Sequence, residues 1–124
     1  MEKKFKDLLK LAKMLRSEKG CPWDRKQNIP SMAEHLEEEA GEVKEAIQNL
    51  DYPNLQEELG DLLFQIIMIS QIADEDHLFN MDDVIRGIDE KIRSRHTWVF
   101  GKDKAATPEE ALEMWKRNKE KEKK

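Results

Sequence analysis

Two amphipathic stretches, residues 36–50 and 55–69, constrain the fold more than any other feature of the sequence. With successive residues turned by about 100° along a helix, the apolar side chains of each stretch form one stripe. The stripes are Leu36, Ala40, Val43, Ile47 and Leu50 in the first stretch, and Leu55, Leu59, Leu62, Ile66 and Ile69 in the second. Because only a few residues separate the stretches, they are predicted to form an antiparallel helix pair.

Each stretch also carries two acidic residues on the same flank of its stripe. In rotation about the helix axis, relative to Leu36 in the first stretch and Leu55 in the second, Glu39 and Glu58 lie at about −60°. Glu42 and Asp61 lie at about −120°. Two facing antiparallel helices are related by a two-fold axis, so the corresponding flanks of the two helices lie on the same side of the pair. The four carboxylates are therefore predicted to converge, roughly two helical turns from the connection.

Such a cluster repels itself unless a cation lies among the carboxylates. A donor set made only of oxygen suits Mg²⁺ or Mn²⁺, so one interpretation is a metal site for one or two ions. The other interpretation is a solvated acidic face. Charged residues make up 40% of the chain, so acidic pairs spaced i, i+3 also arise by chance. The spacing alone leaves both interpretations open.

Length and composition favour a single domain spanning residues 1–124. The net charge of −5 gives no reason to expect nucleic acid as a partner. The one cysteine, Cys21, is compatible with a reducing compartment. No signal-peptide pattern is present, and the longest apolar run, near residues 62–69, is interrupted by Gln65 and too short to span a bilayer. We therefore expect a cytoplasmic protein without a membrane partner.

The remaining sequence indicates further helices and no strand. We predict an all-α helical bundle around the acidic pair, with a frayed tail at about residues 120–124. The first predicted helix covers residues 3–18 and is ended by Gly20, and the second runs from a capping box of Ser31 with Glu34 to about residue 49. The third runs from Pro53 to about residue 73. The fourth is capped by Asn80, and the last begins at Thr107 and Pro108.

The segments outside these helices hold further candidates. Residues 20–24 and 74–77 are predicted to be loops. In the first loop, Trp23 is either a core anchor, which is the preferred interpretation, or a surface on which the base of a substrate stacks. Trp23 is therefore kept as a candidate substrate-binding residue.

Two helices carry broad apolar surfaces. The third helix presents Leu62, Leu63, Ile66, Ile67 and Ile69. This is more than one partner helix covers, which predicts a homo-oligomer assembled through helices. The fourth helix is expected to bury Met81, Val84, Ile85, Ile88 and Ile92.

Basic residues near the end of the fourth helix have two interpretations. Lys91 and Arg95 lie one turn apart and share a face. They either grip phosphate oxygens or pair with acids on an exposed face. The last helix places Trp115 and Lys119 one turn apart as well.

Taken in order, these motifs resemble the MazG-type nucleoside triphosphate pyrophosphohydrolases of the all-α NTP pyrophosphatase superfamily. The resemblance covers about residues 5–119. It rests on Glu38-Glu39-x-x-Glu42, Glu58-x-x-Asp61, Gly20-Cys21-Pro22-Trp23-Asp24, the run from Glu57 to Gln65, Arg95-His96 and Val99-Phe100-Gly101. One departure is Thr97-Trp98, where many members have Pro-His.

The resemblance implies Mg²⁺-dependent cleavage of an NTP or dNTP to a nucleoside monophosphate and pyrophosphate, as nucleotide-pool house-cleaning by a homodimer or larger assembly. It implies metal binding by Glu39, Glu42, Glu58 and Asp61, phosphate contacts from Lys91 and Arg95, nucleotide contacts from Trp115 and Lys119, and a role for Glu38 as base or outer support. Two alternatives stay open: a non-catalytic helical interaction module, and a relative specific for one nucleotide such as dUTP or dCTP.

Overall fold

A computed structural model describes residues 1–122, which form seven helices and no strand. The helices are α1 (Glu2–Arg16), α2 (Pro22–Lys26), α3 (Ile29–Gln48), α4 (Tyr52–Glu75), α5 (Met81–Arg95), α6 (Thr97–Phe100) and α7 (Pro108–Glu122). The prediction of an all-α protein is thus confirmed for this part of the chain. None of these helices is long and apolar enough to cross a bilayer. The chain divides into two compact units, Met1–Met81 and Asp82–Lys124, and the single domain stays a prediction.

The first unit is built on the hairpin of α3 and α4, which are joined by residues 49–51 and pack against each other. The core of this unit gathers Ala12 of α1, Met32 of α3, and Ile67, Met68 and Ile72 of α4. Because α1 also packs on α4, part of the broad apolar surface of α4 is covered within the chain. Ile67, predicted to face another subunit, is only 1% exposed.

The face that the hairpin buries differs from the predicted stripes. On α3 the buried residues are Met32, Val43 and Ala46, whereas Ile47 is 53% exposed. On α4, Leu59 is 49% exposed. The buried residues of α3 therefore lie around the angle of Glu39, about −60°, whereas those of α4 point in several directions because α4 packs against both α3 and α1. A hydropathy stripe marks every apolar position, but it does not distinguish positions covered within the chain from positions left uncovered.

The start of α3 also differs from the prediction. Asn28, not Ser31, is the N-cap, and the helix begins at Ile29. The Asn28 side chain accepts a hydrogen bond from the Ser31 backbone N–H at 2.8 Å, and the Ser31 hydroxyl accepts one from the Asn28 N–H at 2.9 Å. Ser31 thus fills the inner position of a capping box, and Pro30 lies in the first turn, where its missing N–H costs nothing. The predicted box of Ser31 with Glu34 is wrong.

Residues 20–24, predicted to be a loop, instead lead into the short helix α2. A Cβ atom at Gly20 would collide with the carbonyl oxygens of Met14 and Leu15, so only glycine lets the chain turn back against the end of α1. Trp23 lies in the first turn of α2 and is 56% exposed. The preferred interpretation of Trp23 as a core anchor is therefore wrong.

Arg16 ties α2 to the rest of the first unit. Its Nη1 donates to the carbonyl oxygens of Asp24 at 2.6 Å and Gln27 at 2.7 Å, while its Nη2 donates to the Glu75 carboxylate at 2.7 Å. The hydrogen bond with Arg16 lowers the pKa of Glu75. Since the Arg16 side chain is only 10% exposed, this ion pair is better shielded than the pairs on the surface. Arg16 therefore joins the ends of α1, α2 and α4.

The second unit comprises α5, α6 and α7. Asn118 of α7 is buried, and its amide nitrogen donates to the Arg95 carbonyl and to the Thr97 hydroxyl, both at 3.0 Å. The start of α7 matches the prediction, because the Glu110 N–H donates to the Thr107 hydroxyl at 3.2 Å. The predicted burial of the α5 face is wrong for this chain by itself: Ile85, Ile88 and Ile92 are 42%, 49% and 43% exposed.

Each hairpin helix is followed, two residues after its last residue, by a non-glycine residue in the left-handed region: Leu50 with φ of 53° after α3 and His77 with φ of 59° after α4. At the end of α4, the His77 N–H donates to the Asp74 carbonyl at 3.1 Å, and the Leu78 N–H donates to the Ala73 carbonyl at 2.9 Å. Glycine is the favoured residue in this left-handed conformation after a helix, because it has no Cβ atom to crowd the following carbonyl.

We predict that His77→Gly is more stable than His77→Ala by about 1 kcal/mol, because alanine keeps the left-handed strain that glycine relieves. Urea unfolding at fixed protein concentration measures the difference. Asp76 has φ of −87°, so Asp76→Gly is expected to be less stable than Asp76→Ala. The same sign at both positions would contradict the assignment of strain to His77.

Candidate functional site

Three carboxylates from the facing sides of the hairpin lie together. Glu39 of α3 and Glu58 and Asp61 of α4 each offer one carboxylate oxygen, and these three oxygens lie within 4.8 Å of one another. Glu58 and Asp61 share a face because they are three residues apart on one helix. Glu39 and Glu58 are partly buried and Asp61 is exposed. These three residues can hold a metal ion.

Glu42 adds a fourth carboxylate to this group. Burial is the largest cause that raises the pKa of Glu39, followed by the charges of Glu42 and Asp61. For Glu58, the hydrogen bond with Glu42 is the largest cause, followed by burial, and together with the neighbouring charges they raise the pKa to about 7. Without a cation, the cluster therefore retains a proton that an isolated glutamate would lose. The hairpin brings all four predicted acids together, and their role as metal ligands stays a prediction.

Two oxygens in the cluster lack hydrogen-bond partners among the described residues. Oε2 of Glu39 and Oε2 of Glu58 are both buried and unpaired. A buried polar atom without a partner destabilises the fold, and a buried carboxylate oxygen does so strongly. A hard cation placed between the helices would satisfy both oxygens at once. Because the cluster offers only carboxylate oxygen, it suits Mg²⁺ or Mn²⁺ better than a metal that prefers sulfur or imidazole.

Glu38 lies outside the three-carboxylate group. It is exposed, and its charge contributes less to the raised pKa of Glu39 than burial, Glu42 or Asp61 does. Its role as a base stays a prediction.

Of the four candidate residues in the second unit, three lie together. The Arg95 guanidinium lies 5.4 Å from the centre of the Trp115 ring, and Nζ of Lys119 lies 5.1 Å from it. Such positions over an aromatic face are stabilising for cations. Arg95 also donates to the Glu122 carboxylate at 2.9 Å, so it already binds an oxyanion. Lys91, one turn before Arg95 on α5, is exposed.

Glu122 has a lowered pKa, chiefly because the Ser94 hydroxyl donates to its carboxylate and then because Arg95 does. The Ser94 hydrogen bond is 2.6 Å long. An anionic ligand that reached Arg95 would therefore compete with Glu122 for the guanidinium.

Two further polar residues near the cluster, Gln65 and His35, were not among the candidates predicted from the sequence. Gln65 lies one turn after Asp61 on α4, and its Oε1 is buried without a hydrogen-bond partner among the described residues. His35 lies one turn before Glu39 on α3. The sequence did contain a reason to consider Gln65, because it is the polar residue that interrupts an apolar run. It shares a helical face with an acid already singled out.

The fold and the acids define an all-helical class in which an antiparallel helix pair holds a carboxylate cluster. The chain belongs to the MazG nucleotide pyrophosphohydrolase domain family, because the model of that family matches residues 27–100.

Individual relatives agree with this assignment. The nucleoside triphosphate pyrophosphohydrolase of Escherichia coli strain K12 is 39% identical over 87% of this chain and 41% of the relative. The nucleoside triphosphate pyrophosphohydrolase/pyrophosphatase MazG of Thermotoga maritima is 44% identical over 78% of this chain and 38% of the relative. The chain thus spans about two fifths of the length of these curated relatives.

A solved structure matches nearly the whole chain. The crystal structure of a MazG-related protein from Thermotoga maritima has a TM-score of 0.75 and 34% sequence identity to this chain. The match covers 93% of this chain and 98% of that one.

We predict that the metal-free protein loses stability as the pH rises from about 5 to about 8. The folded protein keeps a proton on Glu58 up to a pKa of about 7, whereas a glutamate in the unfolded chain releases it near about pH 4.3. Because the folded state binds more protons across this window, the free energy of unfolding falls as the pH rises. Mg²⁺ should therefore raise the unfolding temperature more at about pH 8 than at about pH 5.5.

Glu58→Gln is expected to remove most of this pH dependence and to weaken stabilisation by Mg²⁺. Glu57→Gln changes the charge of the chain equally at an exposed neighbouring position and should preserve both effects. Stabilisation by Mg²⁺ that does not change with pH, or that survives in Glu58→Gln, would contradict the assignment.

Proposed function

We propose that the chain hydrolyses nucleoside triphosphates to nucleoside monophosphate and pyrophosphate, with Mg²⁺ held by Glu39, Glu42, Glu58 and Asp61. The observation that carries this proposal is the pair of buried, unpaired oxygens of Glu39 and Glu58 inside a cluster made only of carboxylates. Membership of the MazG family supports it, and so does the similarity to two nucleoside triphosphate pyrophosphohydrolases. A role in clearing unwanted nucleotides from the cytoplasmic pool is part of the proposal.

The charge of the site determines what its residues have to do. When bound, Mg²⁺ supplies positive charge that offsets the repulsion between the carboxylates and the triphosphate and polarises the phosphoryl group. Glu39 and Glu58 fix the position of that charge from opposite helices. Glu38, exposed beside Glu39, is the proposed base: it accepts a proton from the attacking water while the water oxygen bonds to the α-phosphorus and pyrophosphate leaves.

The basic residues of the second unit complete the proposed roles. Lys91 and Arg95 offset charge on the leaving pyrophosphate, with Arg95 suited to bidentate contact. Trp115 and Lys119 contact the nucleotide, as the resemblance implies, and Trp23 offers an exposed ring to its base. The proposed role of Arg95 is supported by its hydrogen bond to the carboxylate of Glu122, which a phosphate group would replace.

We predict that Glu39→Gln and Asp61→Asn each lower kcat/KM by about 100-fold or more, because each removes a charged ligand from the cluster. The assay uses a panel of NTPs and dNTPs, with Mg²⁺ and then with EDTA, and identifies the products by chromatography. Circular dichroism should show helicity near that of the unmodified chain. Glu37→Gln, at an exposed position on α3, is the control and should retain activity.

The products distinguish the rival functions. Near-full activity in Glu39→Gln or Asp61→Asn would contradict the ligand assignment. Release of orthophosphate would show that a different bond is cut. Turnover of one nucleotide alone would support the narrowly specific relative, and the lack of any metal-dependent turnover would favour the interaction module.

We also propose that the chain forms a homodimer or larger homo-oligomer through the uncovered apolar side of the hairpin. That side carries Ile47, Leu50, Leu59, Leu63 and Ile66, which are between 36% and 68% exposed. Apolar surface of this extent on adjacent helices is typical of protein interfaces.

Leu59→Glu is predicted to shift the protein toward monomer, because it places a charge in the proposed interface. Sedimentation velocity over a range of protein concentrations measures the shift. Met14→Glu, at a position of α1 that is 58% exposed, is the matched control and should leave the association state unchanged. A protein that sediments as a monomer before any substitution would contradict the proposal.

A further inference from the structure

A pocket lies between α2, α3 and α4 in the first unit. Its inner part has a volume of about 80 Å³ and is lined by residues that include Trp23, His35 and Gln65. It adjoins a wider groove of about 410 Å³, with which it shares Trp23, Gln27 and His35. The volume of the groove is in the range of small-molecule sites. The inner part ends at apolar side chains of the core, Met32, Phe64 and Met68.

The two glutamines of this pocket differ in what their amides do. The Gln27 amide nitrogen donates to the Trp23 carbonyl at 3.1 Å, and its oxygen accepts from the Ser31 hydroxyl at 2.8 Å. Gln27 therefore has a structural role, holding α2 against the start of α3. Oε1 of Gln65 is also buried but has no hydrogen-bond partner among the described residues. A buried acceptor of this kind destabilises the protein unless a ligand donates to it.

The position of the pocket relates it to the acid cluster. On α3, His35 is four residues before Glu39, and on α4, Gln65 is four residues after Asp61. Since the helices are antiparallel, both steps lead away from the hairpin turn by about 6 Å. The pocket is therefore one helical turn further along the same hairpin than the carboxylates. In a nucleotide, only the 5′ carbon and the sugar ring separate the α-phosphate from the base.

Aromatic side chains form one wall of the pocket. The rings of Trp23 and His35 meet edge to face, with their centres 5.7 Å apart and an angle of 74° between them. Trp23 is 56% exposed, so its contact with His35 leaves much of the indole uncovered. Base stacking on an exposed aromatic ring is stabilising for every base, because each base has a π-face. Stacking alone would not select among bases.

We propose that this pocket receives the base of the nucleotide and that Gln65 distinguishes amino-bearing from keto-bearing bases, an inference that rests on the proposed function. Oε1 of Gln65 needs a donor, and the exocyclic amino groups of adenine and cytosine supply one. Hypoxanthine and uracil present a keto oxygen at the corresponding position, which would leave Oε1 unpaired. Sites that hydrogen-bond one substrate reject the analogue that lacks the group, since a buried polar atom is then left without a partner.

The test compares substrates of equal size. We expect kcat/KM to be about tenfold higher for ATP than for ITP, and for CTP than for UTP, as befits one well-formed hydrogen bond. In Gln65→Met, which keeps the length of the side chain and removes the amide, both ratios should fall to about one. Because each ratio compares two triphosphates on the same enzyme, effects on metal or phosphate binding cancel. Gln56→Met, the same change at an exposed position of α4, should preserve both ratios.

Each outcome decides between the alternatives. Ratios near one before any substitution, or ratios that Gln65→Met leaves unchanged, would overturn the inference. If the unmodified chain prefers ITP and UTP and Gln65→Met abolishes that preference, Gln65 still selects the base, but with its amide nitrogen facing the base in place of Oε1. If no triphosphate is hydrolysed, the proposed function fails, and calorimetric titration with AMP and IMP tests the pocket separately. If AMP and IMP bind with different affinities that become equal in Gln65→Met, the inference about Gln65 is supported. Equal affinities, or no detectable binding, in the unmodified chain would overturn it.

Discussion

The first unit depends on the placement of carboxylates in the packed face of a helix pair. Glu39 and Glu58 lie where apolar side chains would stabilise the contact between α3 and α4, and each leaves a buried oxygen unpaired. The hydrogen bond with Glu42, burial and the neighbouring charges raise the pKa of Glu58 to about 7, and the proton that Glu58 retains relieves part of the repulsion. Folding therefore relies on packing elsewhere, chiefly the cluster of Ala12, Ile67 and Ile72 that joins α1 to α4. Sites that sacrifice local stability in this manner are typical of functional residues.

The hydrogen bonds of Arg16 hold the short helix α2, which forms part of the pocket beside the acid cluster. Helix α2 has only five residues, too few to be stable by itself. Arg16 binds three carbonyl oxygens at the end of α2 while pairing with Glu75 of α4. Gln27 joins the same short helix to the start of α3. These contacts hold Trp23 beside His35 with much of its ring exposed. The pocket is thus positioned by hydrogen bonds to backbone atoms, which do not depend on the identity of most α2 side chains.

Particular residues show how far local patterns lead. The i, i+3 spacing of the acids and the short connection predicted a hairpin that gathers four carboxylates, and the structure brings those four side chains together. The caps of α7 followed from Thr107 and Pro108. The predicted loop at residues 20–24 was wrong because turn signals at Gly20 and Pro22 do not reveal that Arg16 binds carbonyl oxygens at the end of α2 and holds this short helix. The predicted stripes failed because apolar residues such as Leu59 are uncovered while Glu39 lies in the packed face.

By itself, the sequence determined the helical class, the connection of the two acidic helices and the flank on which the acids lie, because spacing along a helix determines direction around its axis. Its motifs also carried the resemblance that the family model confirms. Only the tertiary structure decided which apolar positions are covered, which carboxylate oxygens are left without partners, and that Gln65 ends beside a pocket one turn from the acids. The reason is physical: burial and hydrogen-bond satisfaction are properties of neighbours brought together by folding, and neighbours in space are not encoded in the period of a single helix.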